Sequence, residues 1–222
     1  MTSDDKWRLL SVERPNWASE EFIGLLGHEL NNLLSSCRGY IELARLDQGK
    51  ADIDRYLKEA LNGVDRLAAF NGALLAMGGR IHVTGTLVSV AEIAHTIQAF
   101  VTLPEAFDGE RQLRIDLPWF VKIHQALVDT AEQGGWHYCA RVVLDGNFWT
   151  FEFQVTKTPQ PIDWESIFQP FYLTKKVQIG QGLGWAFWPG VVEAMHGAWC
   201  VERHSSNPWV RLKAQFPIVN TQ

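Results

Sequence analysis

Apolar side chains near the N-terminus recur at alternating steps of three and four residues, and this spacing limits the fold more than any other feature of the chain. A first seam consists of Ile23, Leu26, Leu30, Leu33, Cys37, Tyr40 and Ala44. A second seam, apolar except for one asparagine, consists of Ile53, Leu57, Ala60, Val64, Leu67, Asn71 and Leu74. Such alternation is typical of helices packed in a bundle. The polar stretch from Leu46 to Asp52 lies between the seams and predicts the turn of a helical hairpin.

Two helices alone leave much of their apolar seams in contact with water. The economical arrangement is a homodimeric four-helix bundle, in which two hairpins bury each other's seams. The alternative is a hairpin that docks onto the remainder of its own chain. The sequence favours the homodimer and leaves both arrangements open.

The spacing changes after the stretch MGGRIHVTG, residues 77–85, which interrupts the helical pattern. Helices are predicted over residues 87–100, 119–133 and 187–197, the last closed by Gly197. Alternating strands are predicted over residues 138–156, with a turn at Asp145-Gly146-Asn147, and over residues 198–204 and 209–218. This order predicts an α+β fold whose C-terminal part is a two-layer domain. We expect two domains, residues 1–80 and residues 81–222.

Composition excludes several classes of function. A net charge of −5 without a run of Lys or Arg argues against binding to nucleic acid. No apolar run reaches the ~20 residues that span a bilayer, so no membrane association is expected. Three cysteines without CxxC spacing predict a reduced, cytoplasmic protein without structural zinc. No metal site is expected either, because metal-ligand spacing is lacking at His95, His124, His137, His196 and His204.

One polar face of the first predicted helix stands out in the stretch GHELNNLLSSCRGY, residues 27–40. At 100° per residue, His28 lies well off the apolar seam and should point to solvent. The residues within about 60° of it by the helical period are Gly24, Asn31, Asn32, Ser35 and Gly39. Each glycine in a helix interior costs roughly 1 kcal/mol relative to alanine. These glycines therefore indicate a face cleared for another protein surface.

Two interpretations of His28 follow from these residues. In the first, the histidine is an ordinary polar residue on a solvated face. In the second, it is a nucleophile: one imidazole nitrogen attacks phosphorus, while the neighbouring carboxylate of Glu29 holds the N–H of the other nitrogen.

The second interpretation is supported by a resemblance. The stretch HELNNLLSSCRGYIELA resembles the phosphoacceptor helix of the dimerisation and histidine-phosphotransfer domain of two-component sensor histidine kinases. Further on, IFQPFYLTKK (167–176) resembles the phenylalanine-containing box of their ATP-binding domain, and GQGLG (180–184) resembles its second glycine box. The boxes occur in the family's order, and the match runs from about Glu20 to Ile218. It implies a C-terminal sandwich of the histidine kinase ATPase type.

The resemblance also implies roles for individual residues. His28 is expected to be the phosphorylated histidine, with Glu29 as its acid/base partner. Asn32 matches the position whose side chain orients water when such proteins dephosphorylate a receiver aspartate. The remaining residues of this face are expected to dock a receiver domain: Gly24, Asn31, Ser35, Arg38 and Gly39. For Arg38 the alternative is a merely solvated arginine.

The sequence departs from the family where ATP and magnesium would bind. On the helix that carries the magnesium-binding asparagines, Ala126 and Thr130 stand at the expected positions, and an aliphatic carbon cannot ligate Mg²⁺. In the first glycine box Lys157 replaces the aspartate that reads adenine, and lysine cannot accept a hydrogen bond. Pro159 and Pro161 replace glycines of the same box, where proline restricts the backbone.

Three further features of this region bear on nucleotide binding. Asp163 is a displaced substitute for the adenine-reading aspartate in one interpretation, although its spacing is wrong. The second glycine box is a vestigial phosphate cradle formed by Gly180, Gly182 and Gly184. The old nucleotide cavity is filled, in a further hypothesis, by one of Trp185, Phe187 and Trp188; otherwise these are ordinary core residues.

Taken with the resemblance, these residues predict a histidine phosphotransferase of two-component signalling. Phosphate would pass between response-regulator receiver aspartates through His28, without ATP and with Mg²⁺ supplied by the receiver. The alternative is a pseudokinase or a receiver phosphatase that regulates a response regulator. A third interpretation, an active ATP-dependent histidine kinase, relies on the intact GQGLG.

Overall fold

The computed structural model describes residues 6–13, 20–47, 49–78, 83–104, 108–170, 172–173 and 185–219. Its contacts divide the chain into two compact units. The first, called the hairpin here, spans residues 15–75. The second, called the sheet unit, combines residues 1–14 with residues 76–222. No described helix is both long and apolar enough to cross a membrane.

The hairpin consists of helices α1 (Glu20–Leu46) and α2 (Lys50–Met77). The polar stretch predicted as a turn does connect them. The Gly49 N–H donates to Asp47 Oδ1 (2.9 Å), and the Gly49 carbonyl accepts from the N–H of Asp52 (3.1 Å) and Ile53 (3.0 Å). These bonds satisfy backbone groups at the start of α2 that have no partner within the helix.

The two helices approach closely at one point. Cys37 of α1 and Ala60 of α2 are buried, and a Cβ added at Gly63 would collide with the sulfur of Cys37. Gly63 is therefore required by the close approach of α1 and α2, not by an unusual backbone angle. Only part of each predicted seam is therefore buried between the two helices: Cys37 and Ala60 are buried, whereas Ile23 and Val64 are exposed.

Much of the remaining apolar surface forms an exposed stripe along both helices. Its members and their exposed fractions are Ile23 (58%), Leu34 (54%), Ile41 (46%), Leu57 (44%), Leu61 (65%) and Val64 (51%). The spacings of 11 and 7 residues in α1, and of 4 and 3 in α2, keep these side chains on one face of each helix. The hairpin by itself leaves this stripe in water.

The sheet unit contains seven strands and three helices among the described residues. In chain order they are β1 (Trp7–Leu9), β2 (Thr86–Ser89), α3 (Val90–Ile97), β3 (Gln112–Ile115), α4 (Leu117–Gln133), β4 (His137–Asp145), β5 (Phe148–Lys157), α5 (Trp188–Ala194), β6 (Ala198–His204) and β7 (Val210–Val219). The pairing order is β1-β6-β7-β3-β2, and β5 pairs with both β7 and β4. All these pairs are antiparallel. The predicted α+β fold with a helical hairpin and a two-layer domain is confirmed.

Two capping residues decide where the first helices of the sheet unit begin. Ser89 Oγ accepts from the Glu92 N–H (3.1 Å), and Asp116 Oδ1 accepts from the Trp119 N–H (3.2 Å). The prediction of a helix over residues 87–100 was wrong at its start, because Leu87 to Ser89 pair with β3 as strand β2. Ser89 is both the last residue of that strand and the N-cap of α3, so the helix follows the strand directly.

Helix α5 ends differently from the prediction. Gly197 was expected to close it, but the helix ends at Ala194 and the positive φ of 58° belongs to His196. Gly197 serves another purpose, because an added Cβ would lie 2.7 Å from a ring atom of Phe216 and 2.9 Å from Val192. The glycine thus permits close packing of the turn on the sheet.

The N-terminal segment belongs to the sheet unit, which differs from the predicted division at residue 80. Strand β1 pairs with β6 through Trp7↔His204 and its two neighbours, and the Leu10 N–H donates to the Val201 carbonyl (2.8 Å). Leu10 and Val12 pack against the core of the sheet. A strand of three residues is too short to show a period in the sequence.

The core of the sheet unit lies between the helices and one face of the sheet. His124 of α4 is fully buried there, packed against the rings of Phe120 (4.3 Å) and Phe151 (4.0 Å). Its Nδ1–H donates to the Phe120 carbonyl (2.8 Å), and burial lowers the pKa of His124 to about 3. The prediction that this histidine is structural fits its surroundings.

Candidate functional site

His28 is exposed on α1, on the side of the helix away from the exposed stripe. The side-chain amide of Asn32, one helical turn later, lies 3.1 Å from His28 Nδ1. This is an i, i+4 pair, the spacing at which helical side chains meet. The other ring nitrogen, Nε2, makes no hydrogen bond within the described part of the chain. One nitrogen of His28 is thus held from within the helix, and the other is available to an incoming group.

Glu29 does not take the position that the sequence predicted for it. It is half-buried, and within the described residues it makes no hydrogen bond or ion pair. Successive helical residues project 100° apart, so its carboxylate leaves the helix on a different side from the imidazole. The sequence pointed to Asn32 but not to its contact with His28 Nδ1. The i, i+4 spacing of the two residues could have predicted that contact.

The glycines around His28 leave open space. A Cβ added at Gly24 or Gly39 would meet no atom of the described residues within 4 Å, and the same is true of Gly27. Packing within the described part of the chain therefore does not explain these glycines. The other predicted docking residues are also exposed: Asn31, Ser35 and Arg38. The structure brings the predicted face together on one side of α1.

Arg38 has a partner that the sequence analysis did not name. Its Nε donates to Glu42 Oε1 at 2.7 Å, and this hydrogen bond, with the negative charge of Glu42, raises the pKa of Arg38. The pair is exposed, so its contribution to stability is small. Arg38 presents part of a surface ion pair and remains accessible to a docking protein.

On α4 the candidate magnesium positions do not offer a set of ligands. Thr130 is buried, and its hydroxyl donates to the carbonyl of Ala126 (2.7 Å). One candidate is thus a hydrocarbon, and the other has its hydroxyl proton engaged inside the helix. The described residues contain no cluster of His, Cys, Asp and Glu that could hold a metal ion.

The first glycine box is similarly poor in groups for a nucleotide. Lys157, Pro159 and Pro161 are exposed at and beyond the end of β5. Asp163, the candidate substitute, uses both carboxylate oxygens locally: Oδ1 accepts from the Glu165 N–H (3.1 Å) and Oδ2 from the Ser166 hydroxyl (2.8 Å). The residues present at these positions do not fit an adenine with bound magnesium.

Large aromatic rings pack close to this region. Trp185 lies 5.6 Å from Trp136 and 6.5 Å from Trp164 between ring centroids, and its exposed fraction is 1%. Trp188, also 1% exposed, stacks on Phe168 at 5.6 Å with an angle of 7° between the ring planes. These two tryptophans are core residues, whereas Phe187 is half-buried. Their burial is compatible with the filling hypothesis and with ordinary core packing.

Part of the predicted nucleotide region lies outside the described residues. This applies to the second glycine box with Gly180, Gly182 and Gly184, and to residues 171 and 174–176 of the phenylalanine-containing box. The vestigial phosphate cradle therefore stays a prediction.

Comparison with known proteins places the fold. No protein-family model matches the sequence, and no curated protein matches it significantly. Among solved structures, the Acinetobacter baumannii histidine kinase AdeS aligns with 13% identity and a TM-score of 0.57, over 87% of this chain and 98% of that one. Histidine kinase ThkA, solved in complex with response regulator protein TrrA, aligns with 16% identity and a TM-score of 0.55. That alignment covers 89% of this chain and 61% of ThkA.

A third similar structure is full-length ShkA in complex with AMPPNP, at 16% identity and a TM-score of 0.53. It covers 92% of this chain, which spans only 47% of ShkA. At 87–92% coverage of this chain, each alignment with AdeS, ThkA and ShkA includes most of the sheet unit and at least part of the hairpin. The chain therefore has the fold of a histidine kinase core, a helical hairpin followed by an ATPase-type sandwich.

Proposed function

We propose that this chain is a histidine phosphotransferase of two-component signalling. A phosphorylated receiver domain docks on the polar face of α1, and its phospho-aspartate passes the phosphoryl group to His28. A second receiver then takes the group from His28. The observation that carries the proposal is the exposed imidazole of His28, with Nδ1 beside the Asn32 amide and Nε2 without a hydrogen bond among the described residues, on a face where added Cβ atoms would meet no described atom within 4 Å.

The fold supports the same partner class. ThkA, which shares this fold, was solved in complex with a response regulator. Receivers bring their own acidic magnesium site, and the phosphoryl group arrives already activated as an acyl phosphate. The contribution of this chain is then mainly positioning, with Glu29 as a proposed acid/base group.

Transfer of this kind needs no nucleotide here. We propose that the sheet unit does not bind ATP, since Ala126, Thr130 and Asp163 offer poor ligands for a magnesium nucleotide. The reaction between receivers is reversible and needs no ATP, because the phosphoryl donor is itself a phosphoprotein.

The three free cysteines fit a reducing compartment, and we propose that the protein resides in the cytoplasm.

We further propose that the working form is a homodimer. The exposed stripe runs along both helices of the hairpin, and the exposed fractions of its six members range from 44% to 65%. Burying such side chains against a second copy stabilises a four-helix bundle by about 1.5–3 kcal/mol per large residue.

The test is transfer from a receiver phosphorylated with a small-molecule phosphodonor. The wild-type chain should acquire an alkali-stable phosphohistidine, and His28→Ala should abolish it. His95→Ala, at another exposed helical histidine, is the matched control and should transfer normally. Persistent labelling of the His28→Ala chain would overturn the assignment.

A receiver phosphatase is the second candidate, favoured by the exposed amide of Asn32 beside His28. It would release inorganic phosphate without a phosphohistidine, and the release would continue in His28→Ala. A regulatory pseudokinase would neither form a phosphohistidine nor release inorganic phosphate from the receiver. Calorimetric titration with ATP and Mg²⁺ separates these from an active kinase, for which binding followed by labelling of His28 is required.

A further inference from the structure

The partner of His28 Nδ1 in this structure is Asn32, not the adjacent carboxylate. The Asn32 amide lies 3.1 Å from that nitrogen, while Glu29 makes no hydrogen bond among the described residues. Both His28 and Asn32 are exposed, so no packing contact with a buried neighbour forces them together. The i, i+4 geometry of α1 is sufficient to place them.

The partner of Nδ1 matters because a neutral imidazole carries a single proton. Only the nitrogen without that proton has a lone pair for attack on phosphorus. A group that accepts a hydrogen bond from Nδ1–H keeps the proton there and leaves Nε2 nucleophilic. A group that donates to Nδ1 has the opposite effect, because the proton must then reside on Nε2.

A carboxamide can do either. The structure has the amide nitrogen of Asn32 facing His28 Nδ1. Its oxygen and nitrogen ends have nearly the same shape, and a half-turn about the last side-chain torsion places Oδ1 at the same point. Because Asn32 is exposed, no neighbouring side chain in the described structure prevents this rotation.

We propose that Asn32 is the positioning residue that sets the tautomer of His28, its Oδ1 holding the proton on Nδ1 so that Nε2 is the nucleophile. The inference rests on the proposed transfer through His28. In the step, the Nε2 lone pair forms the N–P bond while the P–O bond to the receiver aspartate breaks, and the aspartate leaves as a carboxylate. The proton stays on Nδ1, hydrogen-bonded to Asn32 Oδ1, and the ring carries the positive charge until the phosphoryl group passes to the second receiver.

The two orientations of the Asn32 amide have opposite consequences. An amide nitrogen toward Nδ1 would place the proton on Nε2 and block direct attack, whereas Oδ1 toward Nδ1 leaves Nε2 free to attack. A carboxylate at the same position would hold only the reactive tautomer, since it has no donor. An asparagine therefore permits both tautomers of His28, and Asn32→Asp should favour the reactive one, with the proton on Nδ1.

The experiment measures the tautomer directly, by ¹⁵N NMR of protein carrying labelled histidine above pH 8, with the His28 signals assigned by their loss in His28→Ala. The fraction with the proton on Nδ1 should fall in Asn32→Ala and rise in Asn32→Asp relative to wild type. Glu29→Gln is the matched control and should leave the fraction unchanged. An unchanged fraction in Asn32→Ala, or a change in Glu29→Gln instead, would overturn the inference.

Transfer rates provide the second readout, taken in single turnovers at saturating phosphorylated receiver. Loss of one neutral hydrogen bond in Asn32→Ala should slow transfer about fivefold. Asn32→Asp should restore the rate to within about twofold of wild type. Because both positions of the pair are exposed, the helical circular dichroism of each variant should match wild type.

Failure of this inference is distinguishable from failure of the proposed function. If wild-type protein transfers through His28 but Asn32→Ala changes neither tautomer nor rate, only the role of Asn32 is wrong. If His28→Ala still transfers, the proposed function is wrong whatever the tautomer. Equal tautomer fractions in all the variants would show that hydration of the exposed ring, and not a neighbouring side chain, determines which nitrogen carries the proton.

Discussion

The hairpin and the sheet unit treat their apolar residues in opposite ways. In the sheet unit Ile93, Phe120 and Phe151 are fully buried, and its core is complete within one chain. In the hairpin Leu61 is 65% exposed and Ile23 is 58% exposed. The sheet unit therefore buries most of its large apolar side chains among themselves, whereas the hairpin leaves those of its stripe exposed.

The two units also differ in the side chains that stand at the positions where the resemblance predicts functional residues. The hairpin keeps an exposed histidine with a polar neighbour one turn away. In the sheet unit the positions where the resemblance predicts magnesium and adenine ligands carry an alanine, a threonine bonded to its own helix and a lysine. Because these groups lie on separate units, the proposed lack of ATP binding in the sheet unit is compatible with the proposed transfer through His28.

The largest effect is expected from breaking the core of the sheet unit. Trp185→Ala should lower the free energy of unfolding by about 3–5 kcal/mol, because the cavity cannot be refilled among Trp136, Trp164 and Phe153. Urea unfolding followed by tryptophan fluorescence measures it. Leu9→Ala, at a side chain 76% exposed, is the control and should change stability by less than about 0.5 kcal/mol. An effect of that small size in Trp185→Ala would contradict the buried position of the ring.

A second experiment tests whether a second copy covers the exposed stripe. Leu61→Glu combined with Val64→Glu should weaken dimerisation by roughly 3 kcal/mol or more, about a hundredfold in the dissociation constant. Light scattering over a dilution series measures the shift from dimer to monomer. Arg66→Glu, exposed on the far side of α2, introduces a glutamate without touching the stripe and should leave the mass unchanged. A wild-type chain that is monomeric at all concentrations would leave the stripe without its proposed partner.

The smallest effect concerns the pH dependence of the sheet unit. Burial lowers the pKa of His124 from 6.5 to about 3, so between these values the unfolded chain binds a proton that the folded chain does not. Stability should therefore rise with pH across this window, and fall by about 1.4 kcal/mol per pH unit as the pH drops below 6.5.

His124→Leu removes this contribution. Its stability curve between pH 5 and 6.5, measured by urea unfolding, should be flatter than that of wild type by that slope. His95→Ala, at an exposed histidine, should keep the wild-type slope. Parallel curves for wild type and His124→Leu would show that the buried ring accepts a proton without cost.

Local patterns predicted the elements that are long and regular. The helical spacing from Ile23 onward predicted both helices of the hairpin, and the turn signal at Gly146 predicted the β4–β5 pair. Gly146 has a φ of +55°, which explains why the chain reverses there. The sequence missed β1 and misread the start of α3, because strands of three and four residues are too short to show a period.

The sequence by itself determined the fold class, the hairpin and the polar face that carries His28. Helical and strand periods are local properties, and they place a residue on a face without knowledge of any partner. Only the tertiary structure decided that the seams are buried at Cys37 and Ala60 but exposed at other members such as Ile23 and Val64. It alone also decided that residues 7–9 pair with a strand nearly 200 positions away. It also decided that Asn32 and not Glu29 meets the imidazole. These outcomes depend on distances between side chains and on long-range strand pairing, for which a local pattern carries no information.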